Sequence, residues 1–199
     1  MLIYLKILQA MEYFLPEVER DIERFVYELS RGLTDAGHDV TVLAGGRGRG
    51  MVLGRVRIEY ASMPGTHRTR WAGNHCGQRI NYVPPGILKM YRQSPDVVHA
   101  HDFENGYAAS LLKKNNGTPY ILTVYHMPSG SSNGGFAPLY RLVYKKALEC
   151  ASAVVSVSNS VGDRIKMDFG VDSIIVPLSM ARDSAVSDYL AMYGSAVEA

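Results

Sequence analysis

Cysteine is almost missing from this sequence. Cys76 and Cys150 are the only two in 199 residues, and they form no C-x-x-C pair. That excludes a disulfide scaffold, argues against a structural zinc site and fits a reducing cytoplasm. Long apolar runs are missing too. The first, residues 2–8, is interrupted by Lys6 and followed by Glu12; a spanning helix needs ~18 apolar residues, and a signal peptide a longer apolar centre. Charge of one sign is scarce overall, with a net of +2, so the whole chain makes no case for nucleic acid. No internal repeat is visible. What remains is 47% hydrophobic and 20% charged, enough for one sizeable core. The chain reads as a soluble, cytoplasmic domain that at most sits on a membrane surface.

The small net charge hides a lopsided distribution. Residues 1–44 carry 4 basic and 8 acidic side chains, residues 45–92 carry 9 and 1, and residues 93–199 carry 8 and 10. The positive charge therefore gathers in one stretch, with Trp71, Tyr82 and Tyr91 interleaved. Such a stretch is a candidate docking surface, although charge runs are most often solvated loops.

Short apolar runs alternate with amphipathic stretches. Strands are expected at residues 3–9, 39–43, 55–61, 96–101, 119–126, 153–158 and 173–177. Helices are expected at 17–36, 86–92, 106–115, 139–150, 161–169 and 183–197. In the first helix Val18, Ile22, Phe25, Val26, Leu29 and Leu33 share one face, and Gly37 ends it. The strands are rich in Val and Ile and nearly continuous in apolar character, as in parallel strands buried on both faces. The expected architecture is an α/β, Rossmann-like three-layer domain with a mainly parallel sheet of about seven strands. In such folds ligands bind beyond the carboxyl ends of the strands, so the residues just after each strand are the ones to weigh.

The run Gly45-Gly46-Arg47-Gly48-Arg49-Gly50 lacks a following helix and a Lys-Ser/Thr pair. It reads as a flexible loop rather than a phosphate cradle. His99 and His101 share a strand face, but no second ligand cluster accompanies them, so a metal is disfavoured. His99 reads as a packed, hydrogen-bonded core residue, and His101 with Asp102 as polar groups at the ligand edge. His126 closes a strand before a Gly/Ser loop; it either presents a ring nitrogen to a substrate hydroxyl or merely caps the strand end. Ser158 and Asn159 open a helix, where capping is the first explanation and anion or sugar binding the second. His67, His75 and Cys76 match no common zinc spacing.

Several of these segments together resemble family-four glycosyltransferases of the GT-B fold. They are Phe14-Leu15-Pro16, Glu23 in the first helix, Gly37 through Leu43, the stretch ending His99-Ala100-His101-Asp102, Thr123-Val124-Tyr125-His126, and Val157-Ser158-Asn159. The resemblance spans about residues 3–178, and it lies in their order and spacing. It implies two facing Rossmann-like domains in a complete enzyme: an N-terminal acceptor domain and a C-terminal one that binds the nucleotide sugar. This chain corresponds to the N-terminal half alone. Residues 1–178 would form the acceptor-side domain, and residues 179–199 a last helix packing on it.

The implied reaction is hexosyl transfer from a UDP- or GDP-sugar, with retention and without a metal or other cofactor. The donor would be held only with a missing donor-binding domain or a separate donor subunit. The acceptor would be a sugar or a lipid-linked sugar. The resemblance makes His126 the catalytic residue near the transferred sugar. It places Phe14, Pro16, Glu17, His101, Asp102, Glu104, Asn105, Ser158 and Asn159 along the substrate cleft. It gives Arg68, Arg70, Trp71 and Arg79 a role in docking on an anionic membrane at the cytoplasmic face. One departure stands out: the family's adjacent glycines after the first strand are replaced, at residues 16–20, by Pro-Glu-Val-Glu-Arg. Glu17 and Glu19 would repel a diphosphate. The isolated domain is therefore expected to be inactive, and the alternative is a non-catalytic GT-B-like binding module or partner subunit.

Overall fold

A computed structural model describes residues 4–46, 49–61, 83–127, 137–179 and 182–199. The loops expected around Arg68, Arg70, Trp71 and Arg79, and at 129–135, lie outside the described residues. The elements are β1 (Lys6–Met11), α1 (Asp21–Asp35), β2 (Asp39–Gly45), β3 (Met51–Leu53), β4 (Val56–Ala61), α2 (Val83–Gln93), β5 (Val97–Ala100), α3 (Phe103–Asn116), β6 (Tyr120–Val124), α4 (Ala137–Glu149), β7 (Ala153–Ser156), α5 (Asn159–Phe169), β8 (Ile174–Ile175) and α6 (Arg182–Glu198).

The strands form one eight-stranded sheet in the order β3-β4-β2-β1-β5-β6-β7-β8. Every pairing is parallel except β3 with β4. The expected Rossmann-like class holds, with one strand more than expected. The addition is β3, a short antiparallel strand folded back on β4; its three residues sit beside the glycine-rich run, too short to show a period.

Alternation within each strand sends side chains to two covered faces. Leu5 and Ile7, Val97, Ile121 and Val155 face α1 and α6, where they meet Leu29, Leu33, Ala185, Tyr189, Tyr193 and Ala196. Leu8, Ala10, Val98, Ala100, Tyr120 and Leu122 face the opposite layer and pack with Met90, Ala108, Leu112, Ala147 and Leu148. Full burial of one Leu or Ile stabilises by roughly 1.5–3 kcal/mol relative to exposure, so this double-faced sheet supplies most of the driving force. Near its start, α3 approaches β6 closely enough that a Cβ on Gly106 would lie 3.0 Å from Leu122 Cδ1 and 3.1 Å from Ala147 Cβ.

Three boundaries move for local reasons. α1 begins at Asp21, not residue 17, because residues 15–17 form a turn ahead of it. α3 begins at Phe103, three residues before the expected start, because Asp102 caps it. α2 takes Pro84 and Pro85 into its first turn, where a missing N–H goes unnoticed. At the end of α1, Gly37 has φ +95°, and the His38 N–H donates to the Leu33 carbonyl at 3.1 Å. Only a residue free of Cβ strain closes the helix that way cheaply.

Candidate site at the switch point of the sheet

The chain leaves β1 toward β2 on one side, while β5 pairs on the other. In open parallel sheets such a change of direction marks the crevice where ligands bind, here beyond the carboxyl ends of β1 and β5. The 12–20 loop, Asp102 with the start of α3, and the residues following β6 surround it. The backbone closes the base: His101 N–H donates to the Ala10 carbonyl at 2.9 Å, and Gly45 N–H to that of Glu12 at 3.0 Å.

Beneath the crevice runs a buried chain of polar side chains. Gln9 and His99 are register partners on neighbouring strands, and both are 0% exposed. The Gln9 Oε1 can only accept, so His101 Nε2 donates to it at 2.6 Å. In the neutral ring, Nδ1 then accepts from the Tyr125 hydroxyl at 2.6 Å. Gln9 Nε2 donates to the Tyr193 hydroxyl at 3.2 Å, and that hydroxyl is hydrogen-bonded to His99 Nδ1 at 2.7 Å. His99 Nε2 is hydrogen-bonded to Thr123 Oγ1 at 2.8 Å, which lies 3.1 Å from the Tyr189 hydroxyl. The two imidazoles stack with centroids 4.0 Å apart.

Burial disfavours every charged form here. It pushes His101 down to about 3. Burial first, and His101 second, hold His99 well below the usual imidazole range. Burial also raises the hydroxyls of Tyr125, Tyr189 and Tyr193. The chain is neutral throughout.

This geometry corrects several sequence expectations. His101 does not line the cleft: it is 5% exposed, with both nitrogens engaged below. Phe14 is buried among Met11, Val26, Val42, Ala44, Val56, Ile58 and Tyr60, so it anchors the loop from inside the core. Glu104 and Asn105 are buried in the first turn of α3 and face no open cleft. Their expected starting point was a loop; the early helix start turned them inward. Asp102 does sit at the edge, half-buried. Its Oδ1 accepts from the Asn105 N–H and its Oδ2 from the Asn105 side-chain amide, each at 2.7 Å. Pro16 and Glu17 are exposed on the loop, and His126 is exposed two residues beyond β6. Ser158 caps α5, its Oγ accepting from the Val161 N–H at 3.3 Å, and Asn159 is exposed beside it.

The β1–α1 loop spends its positive charge internally. Arg20 Nη2 lies 3.0 Å from Glu23 Oε1, and Arg24 Nη2 lies 2.8 Å from Glu19 Oε1. Glu17 carries its charge near Tyr60, whose hydroxyl is raised by burial first and by Glu17 second. Arg20 therefore does not turn inward to offset the loop's carboxylates. Among the described residues, no group of three or more His, Cys, Asp or Glu is placed to hold a metal ion.

The polar network includes residues that the sequence reading did not place near the site: Gln9, Tyr125 and the tyrosines of α6. A signal existed: Gln9 and Thr123 are polar residues in the middle of otherwise apolar strands. Such residues need buried partners, and Tyr189 and Tyr193, four apart on α6 and both buried, supply them.

The profile of Glycosyltransferase Family 4 matches residues 22–177. The chain belongs to this family. Its matched region runs from the start of α1 past β8, and so contains all but the first strand and last helix. Within curated proteins, "Putative teichuronic acid biosynthesis glycosyltransferase TuaC" of Bacillus subtilis (strain 168) is 28% identical over 129 residues, covering 61% of this chain and 30% of that protein. Among solved structures, a sucrose-phosphate synthase (tll1590) chain from Thermosynechococcus elongatus, whose name carries the ranges 27_220 and 406_426, superposes with TM-score 0.68. It is 12% identical, over 94% of this chain and 97% of that one. Anabaena Alr3699/HepE, solved with UDP and glucose, gives TM-score 0.63 at 12% identity, over 89% of this chain and 45% of that one. At such identity these two structures establish the shared fold alone. The chain thus spans under a third of TuaC and under half of HepE. Among the described residues, no helix is long and apolar enough to cross a membrane.

Proposed function

We propose that this chain is the acceptor-side half of a glycosyltransferase that moves a hexosyl group from a UDP- or GDP-sugar, with the donor held by a second, GT-B-type domain or subunit. The supporting observation is the family match over residues 22–177, together with the placement of Asp102 just after β5 and of exposed His126 just after β6, at the carboxyl ends of strands beside the switch point. In this reading His126 meets the transferred sugar or the acceptor hydroxyl. Asp102, Glu17, Ser158 and Asn159 offer oxygen and amide contacts to a sugar or lipid-linked acceptor. Orientation of the acceptor against the donor carries most of the rate.

The test combines the chain with candidate donor halves and follows radiolabelled sugar transfer, with acceptor binding by calorimetry on the chain alone. Transfer that requires both halves, or acceptor binding by this half, supports the reading. Absence of both, with every partner, overturns it.

A second reading is favoured by the Glu19–Arg24 and Arg20–Glu23 pairs: a non-catalytic binding module whose loop no longer tolerates a diphosphate. Replacing Val18 and Glu19 by glycine distinguishes the two. Gain of transfer in the assembled enzyme excludes the module; continued silence with intact acceptor binding favours it. Docking of Arg68, Arg70, Trp71 and Arg79 on an anionic membrane belongs to the same proposal. Sedimentation with anionic vesicles that weakens as salt rises is the expected result.

A further inference from the structure

The last helix, α6, reaches the site through one side chain. The Tyr193 hydroxyl stands between the two strands at the switch point, accepting from Gln9 Nε2 at 3.2 Å and hydrogen-bonded to His99 Nδ1 at 2.7 Å. Gln9 in turn takes the proton of His101 Nε2 at 2.6 Å, and His101 Nδ1 takes that of Tyr125 at 2.6 Å. His101 immediately precedes Asp102, and Tyr125 immediately precedes His126. Both rims of the crevice therefore hang from the same polarised chain.

Gln9 is the pivot, because its amide has a donor end and an acceptor end and can be turned end for end. When the Tyr193 proton lies on the His99 Nδ1 side, the hydroxyl can only accept from Gln9, and it then keeps the Nε2 end turned toward itself. With the amide as found, Oε1 faces His101 and the imidazole must carry its proton on Nε2. With the amide reversed, Nε2 would face His101, the ring proton would move to Nδ1, and Tyr125 would become the acceptor.

We propose that Tyr193 is a positioning residue of the switch-point site: by holding the Gln9 amide it fixes the His101 tautomer, and through His101 it fixes the Tyr125 hydroxyl between the Asp102 and His126 rims. What those rims do rests on the acceptor-side reading above; the positioning itself is read without turnover. The arrangement costs nothing in charge, since every member is neutral, and all but Tyr125 are buried. Hydrogen bonds in such surroundings polarise one another in a common direction, so a change at Tyr193 is felt at Tyr125.

The test is nitrogen-15 spectroscopy of the imidazoles in the full chain, with Tyr193→Phe and Tyr189→Phe as paired variants. Both tyrosines are 0% exposed and lie one helical turn apart, so either change removes one buried hydroxyl and keeps the ring. In the unaltered chain His101 is expected as a single Nε2–H tautomer. In Tyr193→Phe a second His101 population, protonated on Nδ1, should appear; in Tyr189→Phe it should not. An Nδ1–H His101 in the unaltered chain overturns the inference before any variant is made. So does a folded Tyr193→Phe chain whose His101 signals are unchanged, or an equal disturbance from both variants, which would be mere loosening of the core. If no transfer is ever observed with any partner, the acceptor-side reading falls while these signals still decide the role of Tyr193.

Discussion

Mild acid should unfold this domain through two buried imidazoles. Burial holds His101 down to about 3 and His99 well below the usual range, against a reference of 6.5. Above pH 6.5 the folded and unfolded chains both carry these rings neutral, and nothing is lost. Below it the unfolded chain takes up protons that the folded core refuses. The stabilisation is thus intact above the unfolded value and drains away as the pH falls, until the folded rings themselves titrate. At pH 5 each ring in the unfolded chain gains ~2 kcal/mol from protonation, so the pair removes about 4 kcal/mol. That is a large share of the roughly 5–15 kcal/mol by which domains are stable. The limiting slope is about 2.7 kcal/mol per pH unit, two protons' worth. His38, lowered by burial, pulls in the same direction. The assay is urea unfolding by circular dichroism between about pH 7 and about pH 5, above the range where carboxylates dominate. Superimposable unfolding curves across that window would refute the reasoning, as would imidazole signals of His99 and His101 that titrate near the reference value in the folded chain.

Gly106→Ala should cost about 1–3 kcal/mol in urea unfolding, because its new methyl lies against Leu122 and Ala147 at 3.0–3.1 Å; a neutral result would mean that α3 slides freely. Asp102→Ala should cost about 1 kcal/mol for the lost cap of α3. It should also weaken acceptor binding by the chain, read by calorimetry. His126→Ala should leave stability within about 0.5 kcal/mol, as exposed positions do, yet abolish transfer by the assembled enzyme. Unchanged turnover would remove His126 from the reaction.

The layer order and parallel sheet were legible because strands buried on both faces leave long Val/Ile runs, and Val56, Ile58 and Tyr60 show alternation outright. Legible too was the set of loops that meet at the sheet edge. The side-chain roles were less so. Phe14, Glu104 and Asn105 follow strands in sequence, but a cap at Asp102 and a turn at Pro16 rotate them into the interior. Neither event leaves a period to read. The polar chain through Gln9, His99 and Thr123 needs pairing register between three strands and a helix 66 to 184 residues away. No local pattern encodes such distances. β3 escaped for the opposite reason: three residues folded onto a neighbour carry too little hydrophobic alternation to separate them from a loop.

The two borders of the sheet are finished differently. At one, β3 runs against its neighbours; at the other, β8 offers only Ile174 and Ile175. A newcomer adding at the first border would meet a strand of reversed sense, and at the second would find a seam two residues long. Edge-to-edge growth between copies is therefore poorly templated. Loop and helix surfaces are therefore better ground than either border for an association between this chain and another body.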